Sequence, residues 1–533
     1  MSYEVIQSVG KYQYIYLAEG YRNENGDSRQ KRRSIGKIHP KTGEKVYKPE
    51  YLEELRLAGV PIEISSTDKQ FSVEDIRKSS VRSYGLFHLF CGLSERIGLI
   101  DALQDSIPDY WKEIFMLSVY MVSSGDPLMY CSDWLENVES YSVGSLTSQR
   151  ISELLIALTP EQREKFFQLW YARNEEDEYL ALDITSESSY SDLIEDVEWG
   201  YNRERKSLPQ INLCMLMGES SRLPLYQSVY SGSIKDVRTL ETTLTRLEAT
   251  TGKRSFTIVM DKGFFSARNI NFLLGDEQQA PINFIIAVPF TSSFAKKQVE
   301  SERKDIDCLE NTIVVNNYPM RAVTKKRSWS KGNTINVHVY YSAKKANGIR
   351  EDLYAKVAIL KKNAIADPEK YLKSDECRKY LAIRKSEKRE EGYTVNIRKD
   401  IVDKELSTAG WTVLISNHVA CAERAIGIYR DKDVVEKGFL RLKNNIDLGR
   451  LRVHSDNTMQ GKLFIGFIAS VIMSEMNRVM VEKGLYKKYT MKSLLRTIEK
   501  LRVQDINGQD IVYPATKAQR TIYDAFSVEA PIK

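Results

Sequence analysis

The stretch EYLALDITS, residues 178–186, decides the fold of this chain. Residues 179–184 form a short and mostly apolar segment, which predicts a buried strand that contains or ends near Asp183. A second stretch, FTIVMDKGFFS at residues 256–266, repeats the pattern, because a β-branched apolar run ends in Asp261. Open α/β sheets present ligands at the carboxyl ends of their strands. Asp183 and Asp261, each placed at or near such an end, are therefore candidate active-site residues.

The elements around these two aspartates predict one topology. In chain order they are the Asp183 strand, strands at 210–217 and 224–230, a helix at 237–251, the Asp261 strand, a helix at 266–275 and a strand at 283–288. This β-β-β-α-β-α-β order, followed by a charged helix, is the order of an RNase H-like nuclease fold. The chain is 533 residues long, which predicts an α/β protein of several domains.

The charged helix is YRDKDVVEKGFLRLK, residues 429–443, which reads as one continuous helix. At about 100° per residue, Tyr429, Lys432, Glu436 and Lys443 share a narrow sector. A carboxylate flanked by ammonium groups on one stripe suits a metal site that faces a phosphate backbone. A solvated i,i+4 ion pair between Lys432 and Glu436 explains part of the same pattern.

These four residues resemble the Tyr-x2-Arg-x3-Glu-x6-Lys signature of DDE transposases from prokaryotic insertion sequences. Lys432 stands where that family has arginine, and Arg430 lies two residues earlier. Lysine keeps the charge but loses the bidentate fork of arginine. The family also has an RNase H-like core interrupted by a β-rich insertion.

The resemblance implies that Asp183, Asp261 and Glu436 are the catalytic residues and hold two Mg²⁺ ions, for which Mn²⁺ can substitute. It implies that Tyr429, Lys432 and Lys443 position DNA phosphates. The implied reaction is hydrolysis at the ends of a mobile element, followed by joining of the 3′-OH ends to target DNA. The implied partners are double-stranded DNA, as terminal inverted repeats and target, and a second copy of the chain.

Alternatives stay open at this point. Asp183 and Asp261 could cap the segments that follow them, and Glu187 is the acid most easily confused with Asp183. Asp192, Glu195 and Asp196 read as solvated acids, and so mostly does Glu187. At the level of function, the alternatives are an RNase H-like nuclease or resolvase that cuts without joining, and a non-catalytic DNA-binding relative.

A basic, strand-rich insertion is expected at 290–419, because the 175 residues from Asp261 to Glu436 exceed what a helix and a strand require. Its acid-free part holds Trp329 among cations that include Lys325, Lys326 and Arg327. Cations around an aromatic ring suit DNA binding with base stacking, and a packed tryptophan in a solvated hairpin explains them equally well. The densely charged residues 367–399 read as long solvated helices or a mobile arm.

The first 70 residues predict a basic β-hairpin, with Asn25-Gly26 at its turn and Arg32 and Arg33 on its returning strand. Such a hairpin suits binding of the element's ends, although a solvated two-stranded sheet is nearly as good an explanation. The remaining expected domains are a helical domain at 71–177, a core in two parts at 178–289 and 420–480, the insertion between them, and a C-terminal helical region at 481–533.

Composition excludes several classes of protein. The net charge of +6 is only mildly basic, so the distribution of charge says more than its sum. The six cysteines form no C-x-x-C pair, which argues against zinc fingers and disulfide frameworks and suits a cytoplasmic, nucleoid-associated prokaryotic protein. There is no G-x-x-x-x-G-K-[ST] motif, so no nucleotide cofactor is expected, and no apolar run of 18 residues predicts a membrane span.

Overall fold

The structure, a computed structural model, describes residues 2–9, 12–22, 28–39, 43, 45–57, 75–76, 79–174, 178–201, 208–252, 256–330, 332–385, 392–446 and 451–531. The chain divides into two compact units. The N-terminal unit comprises Met1–Ser80 with Asp505–Gln509, and the main unit comprises Val81–Gln504 with Asp510–Lys533.

The N-terminal unit is built on a four-stranded antiparallel sheet. Its elements are β1 (Ser2–Val9), β2 (Tyr12–Arg22), β3 (Ser28–Ile38), β4 (Lys45–Tyr47) and α1 (Pro49–Leu57). The expected basic hairpin is present, since β2 and β3 pair antiparallel from Tyr14 with Lys37 to Arg22 with Ser28. The Asn25-Gly26 turn lies outside the described residues. Arg32 and Arg33 are exposed on β3, and Arg33 pairs with Glu54 of α1.

The main unit begins with a helical block. Its elements are β5 (Ser80–Ser83), α2 (Gly85–Arg96), α3 (Leu99–Ser106), α4 (Trp111–Ser123), α5 (Cys131–Leu135), α6 (Ser148–Ala157) and α7 (Pro160–Arg173). α7 starts with Thr-Pro-Glu, a sequence typical of a helix N-terminus. The Thr159 hydroxyl and the Gln162 side chain form a reciprocal capping box, with Pro160 at the first helical position.

The expected element order of the core is confirmed. The elements are β6 (Leu180–Ser188), β7 (Gln210–Gly218), β8 (Pro224–Ser231), α8 (Asp236–Thr251), β9 (Thr257–Met260), α9 (Ala267–Leu274) and β10 (Asn283–Ala287). One boundary differs from its prediction. β6 continues four residues past Ile184, so Asp183 lies in mid-strand rather than at the strand's end. Polar Thr185, Ser186 and Glu187 stay in the strand because β7 pairs with them throughout and every residue of β6 is buried.

The segment between β10 and β16 contains strands, as expected, and also much helix. Its elements are α10 (Ser293–Glu302), β11 (Thr312–Val315), β12 (Tyr318–Ser328), β13 (Thr334–Tyr341), α11 (Ala343–Ala366), α12 (Pro368–Leu372), α13 (Asp375–Tyr380), β14 (Leu381–Lys385), β15 (Tyr393–Ile397), α14 (Lys399–Leu406) and β16 (Trp411–Ser416). The charged residues 367–399 are neither long helices nor an unattached arm where they are described. They form short elements with a small core of their own around Cys377 and Tyr380.

A nine-stranded mixed sheet organises the main unit. Its order is β11-β12-β13-β16-β10-β9-β6-β7-β8. Four strands of the insertion, β11, β12, β13 and β16, therefore continue the core sheet, because β13 pairs with β16 and β16 pairs with β10. The sheet places β6 and β9 side by side near its centre, which brings the two aspartate-bearing strands together.

The chain after the sheet is mostly helical. Its elements are α15 (Ala422–Asp431), α16 (Asp433–Asn445), α17 (Asp456–Glu482), α18 (Met491–Glu499), β17 (Arg502–Ile506), β18 (Gln509–Val512) and α19 (Lys517–Ala525). α17 is long and apolar enough to cross a membrane by composition, and 83% of its apolar window is buried inside the protein. It packs against α4 and α6 and forms the centre of the main hydrophobic core.

The expected single helix at 429–443 is instead two helices that meet at Lys432. The backbone at Lys432 has a ψ of −12°, and its carbonyl accepts from the N–H of Val435 three residues on. That is a 3₁₀-type bond, which breaks the regular α-helical spacing. Neither proline nor glycine lies at this break, so the local sequence does not predict the interruption of the helix.

Candidate active site

Asp183 and Asp261 occupy adjacent positions on neighbouring parallel strands. The pairing of β6 with β9 ends at Leu182 and Met260, Asp183 is the next residue of β6, and Asp261 directly follows the end of β9. Neighbouring strands lie about 4.8 Å apart, so the two carboxylates start from adjacent backbone positions. The Asp183 side chain is buried, and its Oδ1 accepts from the backbone N–H of Ile184 at 2.8 Å.

Helix capping does not account for Asp261. It stands at the N-cap position of the short 3₁₀ helix Lys262–Phe264, and its side chain makes no cap bond there within the described residues. The following helix, α9, is capped by Ser266, whose hydroxyl accepts from the N–H of Asn269. The Asp261 carboxylate instead accepts from a tyrosine of α15.

That tyrosine is Tyr429, whose hydroxyl donates to Oδ1 of Asp261 at 2.9 Å. Burial raises the pKa of Tyr429, and so do the negative charges of Asp261, Glu436 and Asp183. All three candidate acids therefore act electrostatically on one hydroxyl group. The raised pKa keeps the proton on the tyrosine oxygen, so Tyr429 is a hydrogen-bond donor at neutral pH.

Glu436 lies on α16 beside a buried cation. Its Oε1 accepts from Nζ of Lys432 at 2.9 Å. The Lys432 side chain is only 8% exposed, whereas that of Glu436 is 58% exposed. The Lys432 ammonium also lies 5.5 Å from the centre of the Tyr429 ring. The i,i+4 ion pair is thus present, and through Lys432 it links Glu436 to Tyr429, which contacts Asp261.

Lys443 points into the protein. Its Nζ donates to the backbone carbonyl of Ser186 at 2.8 Å and lies 3.6 Å from Oε1 of Glu187. The exposed fractions of the Lys443 and Glu187 side chains are 12% and 0%. Glu187 is therefore a fully buried strand residue. The prediction from the sequence that it is mostly a solvated acid is wrong.

The remaining candidate DNA contacts lie apart from the acids along the insertion. The Trp329 indole N–H donates to Oδ1 of Asn271 at 2.9 Å, and its ring lies edge-on to Phe294, with centres 5.4 Å apart. Arg430 donates to the carbonyl of Val315 at 3.3 Å, so its guanidinium packs against β11. Three basic residues lie on β12: Lys325 pairs with Glu302, Lys326 is exposed, and Arg327 is partly buried.

With this geometry in view, residues 174–472 match the family model described as the transposase DDE domain. The chain belongs to that family. A solved structure of a piggyBac transposase in a synaptic complex with hairpin DNA aligns with 90% of this chain and 81% of its own, at 11% identity and a TM-score of 0.36. That degree of similarity does not establish a shared fold. No curated protein matches the chain.

Transposases of this family generally use divalent metal ions. In the part of the chain that the structure describes, no group of three or more histidine, cysteine, aspartate or glutamate side chains is close enough to hold a metal ion. The donor chemistry of this transposase nevertheless fits Mg²⁺. Mg²⁺ prefers hard oxygen ligands, and the carboxylates of Asp183 and Asp261 start from adjacent backbone positions.

Sequence reasoning missed a second acidic contact in this transposase. Burial raises the pKa of Glu219 to about 8, and the Asp431 carboxylate contributes to the shift by charge and hydrogen bonding. Glu219 follows β7, and Asp431 is the last residue of α15, so the pair joins the sheet to the helix break at Lys432. Only the folded chain brings these residues together, because 212 positions separate them. For Glu187, by contrast, the alternation Asp183-x-Thr185-x-Glu187 is a usable sequence signal.

Proposed function

We propose that this protein is the transposase of a prokaryotic insertion sequence. It binds the ends of its element, hydrolyses a phosphodiester bond there and joins the 3′-OH ends to target DNA. The observation that carries the proposal is the contact of Tyr429 with Asp261, made where Asp183 and Glu436 also act on the same hydroxyl. Membership of the DDE family supports it further.

Asp183, Asp261 and Glu436 would hold Mg²⁺, with Mn²⁺ able to replace it. A bound ion of this kind polarises phosphate oxygens and lowers the pKa of coordinated water. The protein's own groups orient the carboxylates. Tyr429 donates a hydrogen bond to Asp261, and Lys432 donates one to Glu436. Such partners of metal-binding side chains tune both the affinity for the metal and the activity.

The DNA contacts are proposed to come from cations and aromatic residues at three places. Tyr429 and Lys432 contact Asp261 and Glu436, and Lys443 lies on the helix that carries Glu436. Arg430 faces β11, and Lys325, Lys326, Arg327 and Trp329 lie along the insertion. Arg32 and Arg33 belong to the N-terminal unit, whose exposed basic strand supports a role in binding the element's ends. We place two copies of the chain on the paired ends, in the cytoplasm at the nucleoid.

The test uses the full chain with duplexes that carry the element's terminal repeat, an intact or pre-cleaved end, and Mg²⁺. We expect the wild type to nick intact ends and to join pre-cleaved ends. Asp183→Ala, Asp261→Ala and Glu436→Ala should each abolish both reactions while end binding persists, because they remove ligands rather than core packing.

The outcomes separate the alternatives. A variant that cleaves at near the wild-type rate shows that its residue is misassigned. A wild type that nicks but never joins a pre-cleaved end is a nuclease or resolvase. A wild type that binds ends but cleaves with neither Mg²⁺ nor Mn²⁺ is a non-catalytic DNA-binding protein.

A further inference from the structure

One face of β6 carries two carboxylates. Side chains alternate along a strand, so Asp183, Thr185 and Glu187 lie on the same face, with about 13 Å between the first and the last. All of β6 is buried, and the Glu187 side chain has no exposed area. A carboxylate fully buried in the middle of a sheet is costly unless it is paired. The buried carboxylate of Glu187 therefore requires a partner or a function that offsets its cost.

The partner of Glu187 comes from α16, the helix that carries Glu436. Lys443 lies seven residues after Glu436, which is almost two full turns, so both project from one side of the helix. The Lys443 ammonium lies 3.6 Å from Glu187 and donates to the carbonyl of Ser186. The pair is thus the point at which the end of α16 is attached to β6.

A second contact holds the same helix on the same face. A Cβ added at Gly438 would come 2.6 Å from Sδ of Met217, so α16 lies directly on β7 there. Met217 pairs with Ala181, which shares its face with Asp183 and Glu187. The Gly438 contact sets how closely α16 approaches the sheet, and the ion pair with Glu187 holds the C-terminal end of α16 on β6.

We propose that Glu187 is a positioning residue that acts through Lys443 to fix α16 along β6, and so sets where Glu436 stands relative to Asp183. This rests on the proposed function, since it assigns Glu436 to the metal site. Buried ion pairs are best known for fixing one register among several. Lys443 then serves first as an anchor of the helix, and any phosphate contact is additional.

The experiment measures Mn²⁺ binding to the DNA-free full chain by calorimetry, together with hydrogen exchange of the amides of 433–443. Glu187→Gln keeps the shape of the side chain and removes its charge. We expect its Mn²⁺ affinity to fall about tenfold, the lower end of the loss that follows removal of a direct partner of a metal ligand. We also expect α16 to exchange faster, while end binding persists. The double variant Glu187→Lys with Lys443→Glu exchanges the two charges. It should restore much of the Mn²⁺ affinity and of the slow hydrogen exchange of α16.

A matched control lies on the same helix. Asp433 and Lys437 form an i,i+4 ion pair at 2.6 Å, with 53% and 65% of their side chains exposed. Asp433→Asn with Lys437→Met removes that pair and should change neither Mn²⁺ affinity nor exchange.

The proposal is overturned if Glu187→Gln matches the wild type in both measurements. It is also overturned if the exchanged pair has a wild-type Tm yet binds Mn²⁺ no better than the single variant. Failure of the proposed function looks different. Undiminished Mn²⁺ binding by Glu436→Ala would remove that residue from the metal site, while the exchange of α16 in Glu187→Gln would still report whether Glu187 holds the helix.

Discussion

The hydroxyl group of Tyr429 has a pKa that all three candidate acids raise. It donates to Asp261, and burial together with the charges of Asp261, Glu436 and Asp183 keeps its proton in place. The bond therefore has one direction over the whole neutral range, from tyrosine to carboxylate. Tyr429 acts on Asp261 as a fixed donor and not as a base.

Tyr429→Phe removes that donor and keeps the ring. We expect cleavage to slow by about 10- to 100-fold, because a partner that orients a metal ligand is lost. Because the pKa of Tyr429 is raised, the ratio of wild-type to variant rates should stay constant from pH 6 to pH 9. Single-turnover nicking across that range measures both. A ratio that changes steeply with pH would mean that the hydroxyl ionises during the reaction.

Glu219 gives the protein a pH-dependent stability. Its folded pKa, about 8, lies above the ordinary value of 4.5, because of burial and the neighbouring Asp431. Between pH 4.5 and about pH 8, Glu219 is therefore protonated in the folded state and ionised in the unfolded state. Stability from this group is full below pH 4.5 and is lost as the pH rises towards 8.

Glu219→Gln should flatten that dependence. The Tm of the wild type should fall between pH 6 and pH 8.5 by more than that of the variant. The difference corresponds to about 1–2 kcal/mol once the partial exposure of Glu219 is allowed for. Asp433→Asn, which removes an exposed acid of the same region, is the control and should follow the wild type. If the plots of Tm against pH for Glu219→Gln and the wild type are parallel, Glu219 does not have a raised pKa in the folded protein.

At the scale of elements, β12 is joined to α9 through Trp329. The indole bonds to Asn271 of α9 and packs edge-on to Phe294 of α10. Trp329→Ala should lower the free energy of unfolding by about 2 kcal/mol, less than the 3–5 kcal/mol typical of a fully buried aromatic residue. If the exposed part of the ring also stacks on a base, worth about 1–3 kcal/mol, the variant should slow steps after the first nick.

Asn271→Ala separates the two roles, since it removes the bond to the indole and keeps the ring. It should lower stability slightly and leave end processing unchanged. A 2-aminopurine placed near the cleavage site reports stacking directly. If its fluorescence and the processing kinetics are the same for the wild type and Trp329→Ala, the tryptophan only packs.

Local patterns predict the core elements well and long-range arrangements poorly. The apolar runs that end at Met260 and cover β7, β8 and β10 predict strands within a residue or two, because burial and strand pairing there agree with the apolar composition. The end of β6 was misplaced because polar Thr185 to Glu187 are buried by pairing that no local window contains. The same holds for the joining of β13 to β16 and for the contact of Glu187 with Lys443.

At the scale of the whole molecule, the N-terminal unit carries its own basic strand. Arg32 and Arg33 are exposed on β3, where Arg33 pairs with Glu54 and Arg32 bonds to Gln30. Arg32→Ala with Arg33→Ala should weaken end binding and lower the slope of log K against log salt by about 2, one per lost phosphate contact. Filter binding at several salt concentrations measures this, and Lys356→Ala, an exposed lysine of α11, is the control. An unchanged slope would exclude both arginines from phosphate contact.

The segment between β10 and β16 starts and ends at neighbouring positions of the sheet, and its strands β11, β12 and β13 extend the same sheet. Val288 donates its backbone N–H to the carbonyl of Val413 at 2.9 Å, and Ala287 pairs with Leu414. When both ends of a segment are held side by side, changing its length costs little loop entropy. Over generations the segment can gain or shed modules without moving Asp183 or Asp261. The same junction is where a foreign targeting domain could be grafted to turn this enzyme into a gene-delivery tool.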